Sequence, residues 1–200
     1  MDNKPVIIVS GLARCGTSLT MQMLRAAGMR CAGEPPAFEP PETNTVLGSP
    51  DAAWLRQFEA VKIIDPHHAE IPEIDGRILW LDRNPVQQAM SQLKFLRCVA
   101  GIVAPSGSAA RVRKSLIADR PKAIMAFRGM PMLFLKFEGA IRNPEAFAES
   151  IAGFLSPWYS LDTAGMASRV RARRNGSMCE PGVDMEMVLI GAHAETRGAR

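Results

Sequence analysis

Two hydrophobic regimes alternate along this chain. Short apolar runs at 6–9, at 60–64 (broken once, by Lys62), at 77–82 and at 132–138 have the length of strands and no polar face, as strands covered on both sides do. Between them apolar residues recur at helical spacing: Leu19, Met23, Leu24 and Ala27 within 17–27, and Val86, Ala89, Met90, Leu93 and Ala100 after Asn84-Pro85. Residues 111–128 read as a helix interrupted or restarted at Pro121, and Phe147, Ile151, Phe154 and Leu155 form a stripe after Asn143-Pro144. Each Asn-Pro pair is a capping side chain followed by a proline suited to the first helical position. Buried strands alternating with helices predict an α/β fold with a parallel sheet. Residues 34–50 carry five prolines and predict a long loop without a regular element, of the kind that often carries function.

The junction between the first strand and the first helix carries the most chemistry. Gly11 and Gly16 bracket a tight turn, Ser10-Gly11-Leu12-Ala13-Arg14-Cys15-Gly16-Thr17-Ser18, and the helix that follows offers unpaired N–H groups and a positive dipole end to an anion. The spacing fits G-x-x-x-x-G-K-[ST], but Thr17 stands where that pattern has its lysine. A lysine there reaches the β and γ phosphates of a triphosphate, so a kinase-like use of ATP or GTP is disfavoured. Arg14 puts a cation inside the turn instead. Lys62, in the second apolar run, must find an anion or leave the core, and the end of a strand in an open α/β sheet points to the ligand crevice.

Composition narrows the class. Apolar residues make up 47% and charged residues 22% of the 200, ordinary values for a globular domain. No apolar run reaches the roughly 18 residues that span a bilayer, and Met1-Asp2-Asn3-Lys4 leads straight into the first strand, so a cytoplasmic protein with no membrane partner is expected. The four cysteines show no C-x-x-C pair, which suggests neither zinc nor a disulfide framework. Cys15, beside Arg14 at a helix N-terminus, is either a thiol of lowered pKa and oxidation sensitivity or a small residue in a serine's place. A net charge of +4 suits an anionic ligand without requiring nucleic acid beyond a nucleotide. Seven basic residues between Arg97 and Arg128 face only Asp119, and most of them read as a solvated helical face.

The turn at 10–18 resembles the 5′-phosphosulfate loop of sulfotransferases, commonly Pro-Arg-Ser-Gly-Thr-Ser, with Ala13 and Cys15 as departures. Arg83-Asn84-Pro85 followed by Ser91 is similar to the family's Arg-Asp-Pro-x-x-x-x-x-Ser segment, which holds the donor's 3′-phosphate. The stretch from Phe137-Glu138-Gly139 to Phe154-Leu155 is similar to its Tyr-Glu-Asp-Leu block, without the tyrosine hydroxyl. Taken in order over about residues 5–176, the chain resembles a compact bacterial or phage-type sulfotransferase. The resemblance implies a three-layer α/β/α P-loop domain at 1–176 with a mostly parallel sheet of four to five strands, and a partly flexible tail at 177–200. It implies sulfuryl transfer from 3′-phosphoadenosine 5′-phosphosulfate to a hydroxyl or amine of a small molecule or carbohydrate, with no metal.

On that basis Arg14, Cys15, Gly16, Thr17 and Ser18 hold the 5′ end of the donor, Arg83 and Ser91 the 3′-phosphate, and Arg173 and Arg174 in a basic C-terminal segment cover the nucleotide. Arg14 and Lys62 suit the charge that develops on the bridging oxygen. For the base, relatives point to a glutamate in the loop after the first helix, Glu34, Glu39 or Glu42, or to a histidine after the lysine strand, His67 or His68; Glu39, which follows an aromatic, is the first choice and His67 the second. Two other classes stay open, a degenerate member that binds nucleotide or polyanion without turnover and a P-loop kinase. Whether the chain is a monomer or a homodimer is open as well.

Overall fold

Strand Val6–Gly11 (β1) is buried along its whole length because it has a strand on each edge and helices over each face. The computed structural model describes residues 4–45 and 48–170. Chain order continues with Thr17–Ala26 (α1), Ala52–Leu55 (α2), Ala60–Ile64 (β2), Gly76–Asp82 (β3), Pro85–Ala100 (α3), Ser108–Met125 (α4), Met132–Lys136 (β4), Phe137–Arg142 (α5), Pro144–Leu155 (α6) and Thr163–Ala167 (α7). The four strands are all parallel in the order β2-β1-β3-β4.

Strand periodicity divides the core in two. Ile7, Val9, Leu79 and Leu135 meet α1, α6 and α7 through Met21, Leu24, Phe147, Ile151 and Met166. Val6, Ile8, Ile78 and Trp80 meet the other helical layer through Leu55, Ala89, Leu116 and Phe127. The result is a three-layer α/β/α arrangement, as the resemblance implies, around the parallel sheet expected from the apolar runs. It also sets the direction of Lys62: Ala60 lies in the first cluster and Val61 and Ile63 in the second, so Lys62 points to the α1 layer.

Asn84 and Asn143 cap α3 and α6, each accepting first-turn N–H bonds. Three expectations are corrected. The loop region holds a 3-10 turn, Pro41–Thr43, followed by α2, whose Asp51 cap accepts the N–H groups of Ala53 and Trp54. The fourth strand ends at Lys136, where α5 starts with Glu138 in its first turn, a favourable place for a carboxylate. Helix α4 runs through Pro121 without a break; the carbonyl that Pro121 leaves unbonded belongs to Ile117, which is 54% exposed and can turn to water. Arg173, Arg174 and the tail from 177 lie outside the described residues.

Candidate active site

The turn after β1 needs unusual backbone. Arg14 has φ 69° and Gly16 φ 107°, both in the left-handed region. At Gly16 a Cβ would stand 2.4 Å from the Phe137 ring, and at Gly11 it would stand 2.5 Å from the Cys15 sulfur and the Leu81 carbonyl, so both positions also need glycine for space. Gly16 caps α1 with no side-chain bond, so the first-turn N–H groups beyond Thr17, whose N–H meets the Cys15 sulfur, have no capping side chain.

Neighbouring elements hold this turn rigidly. Asp65, just past β2, accepts the Ala13 N–H at 3.1 Å, while Gln88 of α3 donates to the Ala13 and Leu12 carbonyls at 2.8 and 3.1 Å. The peptide groups on either side of Ala13 are thus fixed from two directions. Arg83 donates to the Arg14 carbonyl at 3.1 Å and lies over the Phe137 ring. Burial pushes the Asp65 carboxyl above its usual range, against the Ala13 bond that favours its charged form.

Cys15 does not behave as an activated thiol. Its side chain is buried in the apolar cluster under the turn, and burial pushes its pKa up to about 12. The Thr17 N–H bond favours the thiolate, but it is outweighed, and Asp65 and Asp82 add to the upward shift. Of the two expectations for Cys15, the small packing residue holds. Its side chain is turned into the core, away from any ligand on the outer face of the turn.

On the β2 side, Lys62 is fully buried and its Nζ donates to Ser18 Oγ at 3.0 Å, to the Ala37 carbonyl, and to Glu39 Oε1 at 2.6 Å. Burial lowers its pKa and Glu39 opposes that shift. Ser18 also donates to the Ala37 carbonyl, and Phe38 is wholly buried, so the proline-rich loop is anchored over the start of α1. Glu39 is 55% exposed and joins this buried ammonium to the surface.

On the β3 side, Arg14 lies over the Phe95 ring and its Nε donates to Ser91 Oγ at 3.4 Å. Gln88, Ser91 and Phe95, spaced by three and four residues, put one face of α3 against the turn. Arg83 lies between the turn and a cleft of about 600 Å³ lined by β3, β4, α3, α4 and α5. Arg120 of α4 holds Asp82 in a two-pronged bond beside this cleft, so it is not one of the solvated cations expected of its helix.

The other candidate bases lie apart from Lys62. Glu34 pairs with Arg25, and Glu42 is exposed in the 3-10 turn. His67 stacks on His68, and the charges that bias it come from His68, Asp65, Asp119 and Lys122 on the α4 side. Burial and His68 lower its pKa. Glu39 is the candidate base that the fold joins to Lys62. Sequence reasoning missed the roles of Asp65, Gln88 and Phe95; only the shared face of α3 could have signalled the last two.

No protein-family model and no curated protein matches the chain. Among solved structures it is similar to the sulfotransferase domain from the curacin biosynthetic pathway, with a TM-score of 0.48 and 10% identity over 88% of this chain and 81% of that one. It is also similar to a sulfotransferase from Alicyclobacillus acidocaldarius, with a TM-score of 0.48 and 16% identity over 96% of each chain.

Proposed function

We propose that the chain is a metal-independent, cytoplasmic sulfotransferase that takes 3′-phosphoadenosine 5′-phosphosulfate as donor and a hydroxyl or amine of a small molecule or carbohydrate as acceptor. The observation that carries this reading is the convergence of two separate cationic groups on one glycine turn: Lys62 with Ser18 and Glu39 on one flank, and Arg14 and Arg83 on the other. A donor with anionic groups at both its 5′ and 3′ positions suits cations on both flanks of the turn, whereas a triphosphate lacks its lysine at Thr17.

In this reading the first-turn N–H groups of α1 and the Ser18 hydroxyl bind the 5′-phosphosulfate. Sulfuryl transfer resembles phosphoryl transfer in depending on in-line positioning and charge stabilisation. Lys62 and Arg14 hold the charge that gathers on the oxygen of the leaving bisphosphate. For Lys62 to do so its ammonium exchanges Glu39 for the donor, and the released carboxylate takes the acceptor's proton as the new S–O or S–N bond forms and the donor's S–O bond to the bisphosphate breaks.

Transfer of labelled sulfuryl groups from the donor to a panel of phenols, alcohols, amines and sugars tests the reading. Turnover that disappears in Lys62→Ala supports it. Tight binding of adenosine 3′,5′-bisphosphate with no transfer to any acceptor would instead leave a nucleotide-binding protein, and magnesium-dependent turnover of ATP would restore the kinase class.

A further inference from the structure

Asp82 and Asp119 bracket a stretch of sequence that contains no carboxylate side chain. It holds α3, the connection at 101–107 and most of α4, and its cations include Lys94, Arg97, Arg111, Arg113 and Lys114. Of the seven large hydrophobic side chains exposed among the described residues, five lie in the same stretch: Val86, Met90, Ile102, Val103 and Ile117. Single exposed apolar residues are ordinary, but their concentration beside unopposed positive charge marks an interaction surface.

The fold carries part of this stretch away from the rest of the molecule. Ala123 and Phe127 pack in the core beside β1 and β3, and Arg120 holds Asp82, the last residue of β3. The earlier part of α4, from Ser108, therefore continues past the carboxyl edge of the sheet, by up to about 18 Å at the rise of an α-helix. Helix α3 crosses the glycine turn, with Gln88 on the Leu12 and Ala13 carbonyls and Phe95 against the Arg14 guanidinium, and its last turn lies beyond. The two helices make a hairpin whose tip holds Ile102 and Val103, 51% and 77% exposed. Arg97 lies about one turn before the tip and Arg111 about one turn after it, with Lys94, Arg113 and Lys114 within about two turns. Arg111 donates to Ser108 Oγ at 3.0 Å. The other four cations have no ion pair or hydrogen bond among the described residues.

Hydrocarbon thus stands at the end of the hairpin, with positive charge about 5 Å behind it. An anionic bilayer presents the complement in the same order, hydrocarbon beneath negative headgroups that form a layer about 6 Å deep. A polyanion in solution offers the charge alone, and Ile102, Val103, Ala104 and Pro105 carry no polar side-chain atom with which to read a base. No helix among the described residues is long and apolar enough to cross a membrane, and docking at its surface needs none.

We propose that the α3–α4 hairpin docks the chain on an anionic lipid surface, with Ile102 and Val103 entering the acyl boundary and Lys94, Arg97, Arg111, Arg113 and Lys114 meeting the headgroups. Docking of this kind is independent of the donor assigned above and is tested without it.

The test is sedimentation of the full chain with vesicles of phosphatidylcholine alone and of phosphatidylcholine mixed with phosphatidylserine. The wild type binds the mixed vesicles about tenfold or more tighter, and added salt weakens that binding. Ile102→Ser combined with Val103→Ser lowers binding to the mixed vesicles about tenfold, since the tip loses its apolar side chains. Arg113→Glu combined with Lys114→Glu abolishes the preference for phosphatidylserine. All four positions are exposed, so both double variants keep the wild-type melting curve. A wild type that binds neither vesicle overturns the proposal, and so does a tip variant that binds the mixed vesicles as the wild type does. Tighter binding of duplex DNA or RNA than of the mixed vesicles, retained in the tip variant, overturns it in favour of a polyanion surface.

Discussion

The two flanks of the glycine turn present cations in opposite ways. On the β2 side Lys62 is buried and already satisfied by three oxygens, one of them a carboxylate. On the β3 and β4 side Arg14 and Arg83 rest on the Phe95 and Phe137 rings, and Lys136 and Arg142 are exposed. A buried ammonium is tolerated only with an internal partner, so it acts by exchanging that partner. Cations at the surface need no such exchange, but salt screens them. The first flank is thus suited to chemistry that begins when a ligand arrives, the second to recognition.

The largest effect expected is at Lys62. Lys62→Met abolishes sulfuryl transfer, by about a thousandfold or more, yet changes the melting temperature little, since the carboxylate it leaves behind, Glu39, is 55% exposed and turns to water. Glu39→Ala does the reverse to stability: it leaves the ammonium buried without its carboxylate and destabilises by about 2 kcal/mol, the usual worth of a charged hydrogen bond. Thermal melts of both variants check this. Equal losses of stability would break the contrast between the flanks.

Next comes Arg83→Ala, which weakens adenosine 3′,5′-bisphosphate about a hundredfold at low salt, the scale of one or two charge-assisted bonds. The wild-type affinity falls steadily as salt is raised, and calorimetry at several ionic strengths measures both trends. Gln88→Leu is smaller. It strips the Leu12 and Ala13 carbonyls of their side-chain donor, loosens the turn, and weakens the bisphosphate about tenfold while the helices and sheet persist, as circular dichroism would register.

Much of this molecule is readable from its residues. Apolar runs, one of them broken by Lys62, named the four strands of the described residues because β1, β2 and β3 are covered on both faces, and the two Asn-Pro pairs marked the starts of α3 and α6 because capping is local. The cation at 62 was legible as an anomaly, and the short list of acids after α1 contained its partner. What escaped depends on distances across the sheet. Nothing local tells Asp65 from any turn aspartate, and only register brings it to Ala13. Phe137 looked like the end of a strand because its apolar run continues past Lys136, yet its ring closes on Gly16 and the chain turns into α5 there. Of the two readings of Cys15 the sequence left open, burial decides for the small packing residue, since the helix dipole is legible in the residues and the burial that outweighs it is not.

Two smaller effects sharpen the contrast. Mild peroxide leaves bisphosphate binding intact, because a buried thiol with a pKa of about 12 offers almost no thiolate near neutrality. Loss of binding that thiol reductant restores would contradict that. His67, whose pKa is lowered in the folded state, binds a proton more readily when the chain unfolds. Stability therefore declines as pH falls from about 6.5 toward the lower folded value. His67→Asn flattens that part of the stability profile, measured by urea unfolding between pH 5 and pH 8, a range chosen to bracket about 6.5.

The central claim is that the turn binds a nucleotide carrying separate 3′ and 5′ anions rather than a triphosphate. Calorimetric titration of the intact chain with adenosine 3′,5′-bisphosphate in the presence of a chelator, set against magnesium-ATP, tests it most directly. The account predicts that the bisphosphate binds at least a hundredfold more tightly and without metal. Tighter binding of magnesium-ATP, or binding of the bisphosphate that requires magnesium, would contradict it.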